Sequence, residues 1–244
     1  MESSLSKLQV KLSGLILLMV VSLFFTGCGS NADKEKNPYG LDIINTTEAY
    51  LGSVAEDSSN LMVDLEKLIP GIKLDIRYAD TNNFTHTKIY TSPRAFLRKA
   101  AADSLLKIQQ ILAKEGIGVK IYDAYRPYSA TLYFYEVYHD TTFVAAPWKG
   151  SIHNRGCAVD LALINLATGE DLAMPTPFDD FTEKASLKYN DLDSAVLANR
   201  SKLVDIMTAH GFTSYEFEWW HFNLKGRDKY KLLDIPFEQL EELK

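Results

Sequence analysis

Two short stretches of the sequence combine residue types that bind metal ions. The first carries His153 and Asp160, seven positions apart, and the second carries Glu218 and His221, three positions apart. A catalytic zinc ion commonly takes three protein ligands from His, Asp and Glu and keeps a fourth position for water. His153, Asp160 and His221 would complete such a set. Glu218 would then face that water and take its proton as a general base.

The spacing within each stretch requires an irregular backbone. Side chains seven or three residues apart point to opposite faces of an ideal strand. Gly156 supplies a place to turn or bulge, so His153 can end one segment while Asp160 projects from the strand after it. A second bulge or strand end is needed between Glu218 and His221. We therefore predict a metal site on adjoining strands, with one distortion in each stretch.

Each stretch on its own also has a purely structural explanation. A His and an Asp seven residues apart are common, and Glu-Trp-Trp-His suits a strand with packed indoles and a surface acid. The occurrence of both stretches, with small residues between His153 and Asp160, favours the metal site.

The elements that must position these residues are mixed and do not alternate in regular βαβ units, which predicts an α+β domain. Alternating or apolar runs predict strands at 74–78, 119–123 and 158–164, and a strand or hairpin arm at 212–224. Capping signals and helical spacing predict helices at 92–116, 127–138 and 193–210, and a short one from residue 236. The prolines around 174–178 indicate a loop. Arg126 then lies at a corner between a strand and a helix.

The two stretches also resemble a known family. Residues 151–160 read Ser-x-His-x-x-Gly-x-Ala-x-Asp, and residues 218–221 read Glu-x-x-His. Together they resemble the zinc signature of the DD-peptidase and dipeptidase family. Asp-Ile-Arg-Tyr at 75–78, Tyr-Arg-Pro at 125–127 and Thr-Pro-Phe-Asp at 176–179 are similar to D-alanyl-D-alanine dipeptidases of the VanX type. The likeness covers residues 61–233.

This resemblance implies a single domain with a hedgehog/DD-peptidase-like fold, in which helices flank a central, mostly antiparallel sheet. It implies one Zn²⁺ per chain, bound by His153, Asp160 and His221, with Glu218 as the catalytic base. It also implies that Arg126 lies near the substrate carbonyl, where a guanidinium can stabilise an oxyanion. For Arg126, a structural salt bridge with Asp123 is the alternative.

The resemblance further implies how a dipeptide is held. Asp179 corresponds to the family's anchor for the free amino group of the substrate, which a carboxylate pairs through charge-assisted hydrogen bonds. Ser151 lies beside the first ligand, in a region that contacts substrate, and turn formation is its alternative role. His86 stands where relatives more often have Gly, which leaves the detail of the substrate pocket open.

The beginning of the chain predicts export. Two lysines precede the apolar run 12–25, which ends at Thr26-Gly27-Cys28, so residues 1–27 form a predicted signal peptide. Cys28 follows as in a bacterial lipobox, although Phe25 departs from the usual aliphatic residue. We predict a lipidated Cys28 with a tether at 28–37, a catalytic domain at 38–244, and a membrane-anchored lipoprotein of the cell envelope, in the periplasm or on the surface. An ordinary signal peptide or an uncleaved anchor is the alternative.

Charge and cysteine content narrow the function classes. Residues 1–27 carry one acidic and two basic side chains, so their removal takes the formal net charge from −6 to −7, which argues against nucleic acid as a partner. Lipidation of Cys28 would leave Cys157 without a disulfide partner. A small buried thiol is the preferred role for Cys157 over a nucleophile.

The leading hypothesis is a zinc metallopeptidase that hydrolyses D-Ala-D-Ala or a related short dipeptide. The closest rival is a D-Ala-D-Ala carboxypeptidase that acts on peptidoglycan stem peptides. A second rival is a non-catalytic zinc or cell-wall binding module, which the presence of both Glu218 and Arg126 disfavours.

Overall fold

A five-stranded sheet forms the centre of the structure, a computed structural model that describes residues 37–243 of the 244. In these residues the strands are β1 (Ile43–Ile44), β2 (Met62–Asp64), β3 (Lys73–Leu74), β4 (Phe96–Arg98), β5 (Ile117–Asp123), β6 (Ala158–Asn165), β7 (Phe212–Tyr215), β8 (Glu218–Leu224) and β9 (Leu232–Leu233). The α-helices are α1 (Thr47–Glu56), α2 (Leu65–Leu68), α3 (Lys99–Ala113), α4 (Tyr128–Val137), α5 (Ser194–Ala209) and α6 (Phe237–Glu242).

The central sheet has the strand order β3-β5-β6-β8-β7. Its pairs are antiparallel except for β3, which runs parallel to β5. Residues 158–164 of β6 are all buried, as expected for a middle strand covered on both faces. Asp160 is the exception to the apolar sequence of that strand. The predicted α+β class, with its mostly antiparallel sheet and flanking helices, is confirmed.

Helix α3 packs against the sheet through one apolar face. Ala101, Leu105, Ile108 and Leu112 recur at helical spacing and are buried, whereas Lys107 and Gln110 on the other side of the helix are exposed. Burying a Leu or Ile side chain stabilises a fold by about 1.5–3 kcal/mol, so this face fixes the helix on β5. Gly116 follows the helix with a φ of +73°, in agreement with the predicted end.

The helix start predicted at Ser92 is wrong. Residues Phe96–Arg98 form β4, which pairs antiparallel with β2, and α3 begins only at Lys99. Arg98 is completely buried and donates hydrogen bonds to three backbone carbonyl oxygens. The Ser92 hydroxyl donates to Glu241 instead of capping a helix. Long-range pairing therefore outweighs the local capping signal.

The strand predicted at 74–78 is also wrong over most of its length. β3 ends at Leu74, and Arg77–Ala79 form a 3-10 turn that carries Tyr78 into a cluster of aromatic side chains. The Asn83 amide holds the following loop closed, because its Nδ2 donates to the carbonyl oxygens of Arg77, Asp80 and Thr87.

The other predicted elements are confirmed with small shifts of their ends. α4 begins directly after Pro127, α5 ends two residues before Gly211, and the β7–β8 hairpin lies within 212–224. The loop at 174–178 is present, and α6 follows Pro236. Cys157 is fully buried, as predicted for a packing residue.

The predicted signal peptide, the lipidation site Cys28 and the tether up to residue 36 lie outside the described residues. Among the helices of residues 37–243, none is long and apolar enough to cross a membrane.

Candidate active site

Three candidate metal ligands meet at one end of the central sheet. Asp160 of β6 and His221 of β8 are direct partners in the antiparallel ladder, and His153 lies on a 3-10 turn, His153–Arg155, just before β6. The Nε2 atom of His153 is 3.5 Å from Asp160 Oδ2 and 3.2 Å from His221 Nδ1. His221 Nδ1 is 2.9 Å from Asp160 Oδ1. One ligand atom from each residue lies within 4.8 Å of the others, which is compact enough to surround one ion.

Hydrogen bonds on the far side of both rings select the nitrogen that faces the cluster. His153 Nδ1 lies 2.7 Å from the carbonyl oxygen of Ala124, so it carries the proton and donates it there. His221 Nε2 likewise donates to Asn223 Oδ1 at 3.0 Å. The lone pairs of His153 Nε2 and His221 Nδ1 are therefore free for a metal ion. Such outer partners orient metal-binding histidines and raise their basicity.

The distortion predicted at Gly156 is present, as a tight turn. Gly156 has a φ of +66° and ends the 3-10 turn that carries His153. A Cβ atom at this position would lie 2.6 Å from the methyl group of Met62, which is the end of a flexible side chain, so conformation is the main reason for glycine here. The turn replaces the predicted strand end and brings His153 back over Asp160.

The distortion predicted in the second stretch is a bulge in β8. The β7–β8 register runs regularly to Ser214 opposite Phe222, and then Tyr215 pairs with Glu218. The extra residues of β8 release the strict alternation of its side chains. Glu218 and His221 consequently share one side, with Glu218 Oε2 at 3.8 Å from His221 Nδ1.

Glu218 is buried in the pocket wall. Burial raises the pKa of its carboxyl group well above the usual range, and the negative charges of Asp160 and Asp179 raise it further. Burial also acts to raise the pKa of Asp160, but His153 and His221 outweigh it and hold that pKa well below the usual range. The surroundings thus favour the protonated form of Glu218 and the ionised form of Asp160 within one cavity.

Arg126 lies at the predicted corner between β5 and α4. Its guanidinium forms an ion pair and also lines the pocket. Its Nε and Nη2 donate to Asp123 Oδ2 at 3.0 and 2.9 Å, so the structural salt bridge is present. The guanidinium also lies over the ring of Phe134 at 4.6 Å and lines the cavity with the metal cluster. The Tyr90 hydroxyl donates to Asp123 Oδ1. Asp123, which does not line the cavity, therefore holds the guanidinium of Arg126 in place.

Asp179 lines the same cavity and has a strained backbone. Its φ of +62° is in the left-handed region, which costs a residue other than glycine about 1–3 kcal/mol. Its Oδ1 accepts a hydrogen bond from the Tyr78 hydroxyl at 3.1 Å, while its buried Oδ2 finds no partner among the described residues. Burial, and then the charge of Asp160, raise the pKa of Asp179 to about 8. The Asp179 carboxyl group is thus placed to accept a further hydrogen bond.

Ser151 lies in the same pocket wall and also builds the turn. Its Oγ accepts from the backbone N–H of His153 at 3.2 Å, and its own N–H donates to Asn154 Oδ1. Turn formation, the alternative role, is thus present in the structure. His86 is exposed with a φ of +53°, in the left-handed region that glycine adopts most readily.

Arg126, Asp179, Glu218 and the candidate metal ligands line one cavity of about 220 Å³. The side chains that bear on chemistry are Arg126, Ser151, His153, Asp160, Asp179, Glu218 and His221. Carboxyl groups outnumber the guanidinium in this buried space, and Arg126 is already paired with Asp123. Buried negative charge is costly without a compensating cation. The nitrogen and oxygen donor set and this charge balance both fit a zinc ion.

Comparison with known proteins decides the family. A family model described as D-ala-D-ala dipeptidase matches residues 58–239. The chain belongs to the D-Ala-D-Ala dipeptidase family. It is similar to the D-alanyl-D-alanine dipeptidase of Escherichia coli K12, at 36% identity over 72% of this chain and 91% of the relative. It is also similar to that of Enterococcus faecalis V583, at 33% identity over 71% and 92%.

Among solved structures, the LdcB LD-carboxypeptidase matches 68% of this chain and 69% of its own with a TM-score of 0.40 and 20% identity. The vancomycin resistance D,D-dipeptidase VanXYg, solved with a D-Ala-D-Ala phosphinate analogue, matches with a TM-score of 0.34 and 17% identity over 67% and 66%. Likenesses of this size carry no argument about activity. Family membership rests on the sequence relatives.

Sequence reasoning missed the partners that hold the family's motif residues in place. Asn223 follows His221 by two positions, so the alternation of a strand could have placed it on the same face. The sequence indicates Asp123 only as an alternative salt-bridge partner for Arg126. The bond between Trp219 and Thr176 had no local signal, because the two residues lie 43 positions apart.

Proposed function

We propose that this protein is a zinc-dependent dipeptidase that hydrolyses D-Ala-D-Ala. The observation that carries the proposal is the placement of a His-Asp-His donor set, a buried Glu218 and the unpartnered oxygen of Asp179 around one small cavity. The names of the relatives supply the substrate. A cavity of about 220 Å³ suits a dipeptide with small side chains better than a long peptide.

In this proposal His153 Nε2, an oxygen of Asp160 and His221 Nδ1 would hold one zinc ion. When bound, zinc supplies a Lewis acid that makes water acidic enough to lose a proton near pH 7. Glu218 would take a proton from the attacking water as the water oxygen adds to the amide carbon. Glu218 then returns the proton to the leaving nitrogen as the C–N bond breaks.

Arg126 and Asp179 hold the substrate at its reacting and amino ends. The guanidinium of Arg126, oriented by Asp123, donates hydrogen bonds to the carbonyl oxygen as negative charge develops there. The free Oδ2 of Asp179 pairs with the ammonium group of the dipeptide. Ser151, beside His153, contacts the substrate from the turn. A stem peptide has an amide in place of that ammonium group and leaves Asp179 without its cation.

The test compares free D-Ala-D-Ala with an N-acylated stem peptide that ends in D-Ala-D-Ala, using purified protein with and without added zinc. We expect zinc-dependent release of D-alanine from the free dipeptide and little from the acylated peptide. The reverse preference would establish the carboxypeptidase. Zinc binding without hydrolysis of either substrate would leave a non-catalytic zinc or cell-wall binding module.

We also propose that the chain is exported and lipidated at Cys28, with residues 1–27 removed. The support is the apolar run followed by Thr26-Gly27-Cys28. Mass spectrometry of the protein from bacterial membranes should give a chain that begins at a diacylglycerol-modified cysteine. A Cys28→Ala variant should lack the lipid, and an unmodified wild-type chain would contradict the proposal.

A further inference from the structure

A buried hydrogen bond joins the loop that carries Asp179 to the bulge that carries Glu218. The indole Nε1 of Trp219 donates to Thr176 Oγ1 at 3.0 Å. Trp219 is 1% exposed and Thr176 is 9% exposed, so water does not compete for this bond. Trp219 directly follows Glu218, and Thr176 lies three residues before Asp179. The bond therefore links the proposed base to the proposed amine anchor.

The Thr176 hydroxyl uses both of its hydrogen-bonding functions. It accepts from Trp219 and donates to the carbonyl oxygen of Pro177 at 2.9 Å. Its orientation consequently fixes the peptide unit that leads into Phe178 and Asp179. Prolines at 175 and 177 restrict the backbone further, because each fixes its own φ.

The loop needs such support because Asp179 has a left-handed backbone. Strain of this kind persists only where the surroundings over-determine the conformation. Phe178 supplies one restraint, since it stacks on Tyr122 with ring centroids 4.7 Å apart and packs against Trp220. Stacking fixes the ring of Phe178 in its pocket, and the bond between Thr176 and Trp219 restrains the neighbouring peptide unit.

We infer that Trp219 is a positioning residue for recognition of the dipeptide's free amino group. Its N–H holds the 174–179 loop in register with β8, so that Asp179 presents its free oxygen at a fixed distance from Glu218. The inference rests on the proposed function and adds a specificity-determining contact outside the pocket wall. Trp219 does not line the cavity that holds Glu218 and His221.

The decisive variant is Trp219→Phe in the zinc-loaded full chain, because it removes the N–H and keeps an aromatic ring. A neutral buried hydrogen bond contributes on the order of a few-fold to tenfold in an equilibrium constant. We expect KM for D-Ala-D-Ala to rise by about three- to tenfold while kcat stays within about twofold. Thr176→Val should also raise KM. Thr176→Ser, which keeps the hydroxyl, should have a KM close to that of the wild type.

A double-mutant cycle with Asp179→Asn separates positioning from a general structural effect. If Trp219 acts through Asp179, Trp219→Phe should leave KM nearly unchanged in the Asp179→Asn background. An equal increase of KM in both backgrounds, or a fall in kcat with KM unchanged, would overturn the inference.

Binding measurements keep this result separate from the fate of the proposed function. In Glu218→Gln protein, calorimetry should show tighter binding of D-Ala-D-Ala than of N-acetyl-D-Ala-D-Ala, and Trp219→Phe should reduce that preference. If the wild type hydrolyses no dipeptide but the preference and its loss are seen, the proposed function fails and the inference stands. Equal binding of both ligands to Glu218→Gln protein overturns the inference even if the wild type is an active dipeptidase.

Discussion

Asp160 and His221 face each other across two hydrogen-bonded strands, whereas Asp179 lies in a loop with a strained backbone. The strand half of the site takes its geometry from ladder register, with a bulge that adds Glu218. The loop half takes its geometry from distant contacts, chiefly those of Tyr78, Phe178 and Trp219. A ladder is cooperative and rigid, while a loop depends on a few individual bonds.

The two halves of the site are therefore suited to different tasks. Metal binding and proton transfer require ligand atoms held within a few tenths of an ångström, and adjoining strands provide that precision. Substrate selection can vary between relatives, and loops accommodate such variation more readily. Changes in the strand half should therefore affect zinc content or kcat, and changes in the loop half should affect KM.

The largest expected effect is that of His221→Ala. Loss of one of three protein ligands should abolish stable zinc binding, and activity should fall to background. Metal analysis after dialysis, together with D-alanine release, measures both. His139→Ala is the matched control, because His139 is exposed and outside the cavity. Zinc retained at one ion per chain in His221→Ala would place the metal elsewhere and contradict the assignment of its ligands to the strand half.

Glu218→Gln should separate catalysis from metal binding within the strand half. The amide keeps the size of the side chain but cannot take a proton from water, and general bases contribute about 10²–10⁴-fold to rates. We expect kcat to fall by about that factor while zinc stays at one ion per chain. Loss of zinc from this variant would instead make Glu218 a ligand.

In the loop half, Asp179→Asn should raise KM with little change in kcat or zinc content. The substitution replaces an ion pair with a neutral hydrogen bond, and bonds to charged groups contribute about 1.5–3 kcal/mol, or roughly 10- to 100-fold. Asp180→Asn, one residue later in the same loop, is the control and should behave as the wild type. A large kcat defect in Asp179→Asn would show that the two halves are not separable.

The strand half was also the part that could be predicted from sequence. Residue spacing required a turn at Gly156 and a distortion between Glu218 and His221, and both are present. The apolar run of β6, interrupted only by Asp160 in its buried part, is likewise visible in the sequence. Hydrophobic periodicity and turn conformation depend on residues that are neighbours in the chain, so a single sequence is enough to predict them.

The errors lie where long-range contacts decide the conformation. Ser92 carries a capping signal, but pairing of β4 with β2 and the buried guanidinium of Arg98 delay the helix to Lys99. Tyr78 lies in an alternating run, but its ring belongs to an aromatic cluster with distant partners. Neither contact leaves a trace in the local pattern.

Asn223→Ala should show a smaller effect in the strand half. The substitution removes the acceptor of His221 Nε2–H, and such outer partners typically contribute 10- to 100-fold to metal affinity. We expect the zinc dissociation constant to rise by roughly that factor, with activity restored in excess zinc. Titration with a competing chelator measures the constant. Activity that stays low at saturating zinc would assign Asn223 a role in catalysis instead.

Cys157→Ala should have the smallest effect, and it tests whether the thiol could be a nucleophile. Burial raises the pKa of Cys157 to about 12, so the side chain is a neutral thiol across the range in which a hydrolase operates. It is fully buried, and its Sγ donates a weak bond to the Arg155 carbonyl oxygen. Activity should stay within about twofold, because only packing is lost.

The matching chemical measurement uses protein in which Cys28 is replaced by Ser, so that Cys157 is the remaining thiol. A thiol reagent at pH 8 should leave the native protein unmodified and modify it once after denaturation. Rapid modification of the native protein with loss of activity would contradict the packing role. Because Cys157 lies between the turn that carries His153 and the strand that carries Asp160, that outcome would also show that the strand half opens in solution.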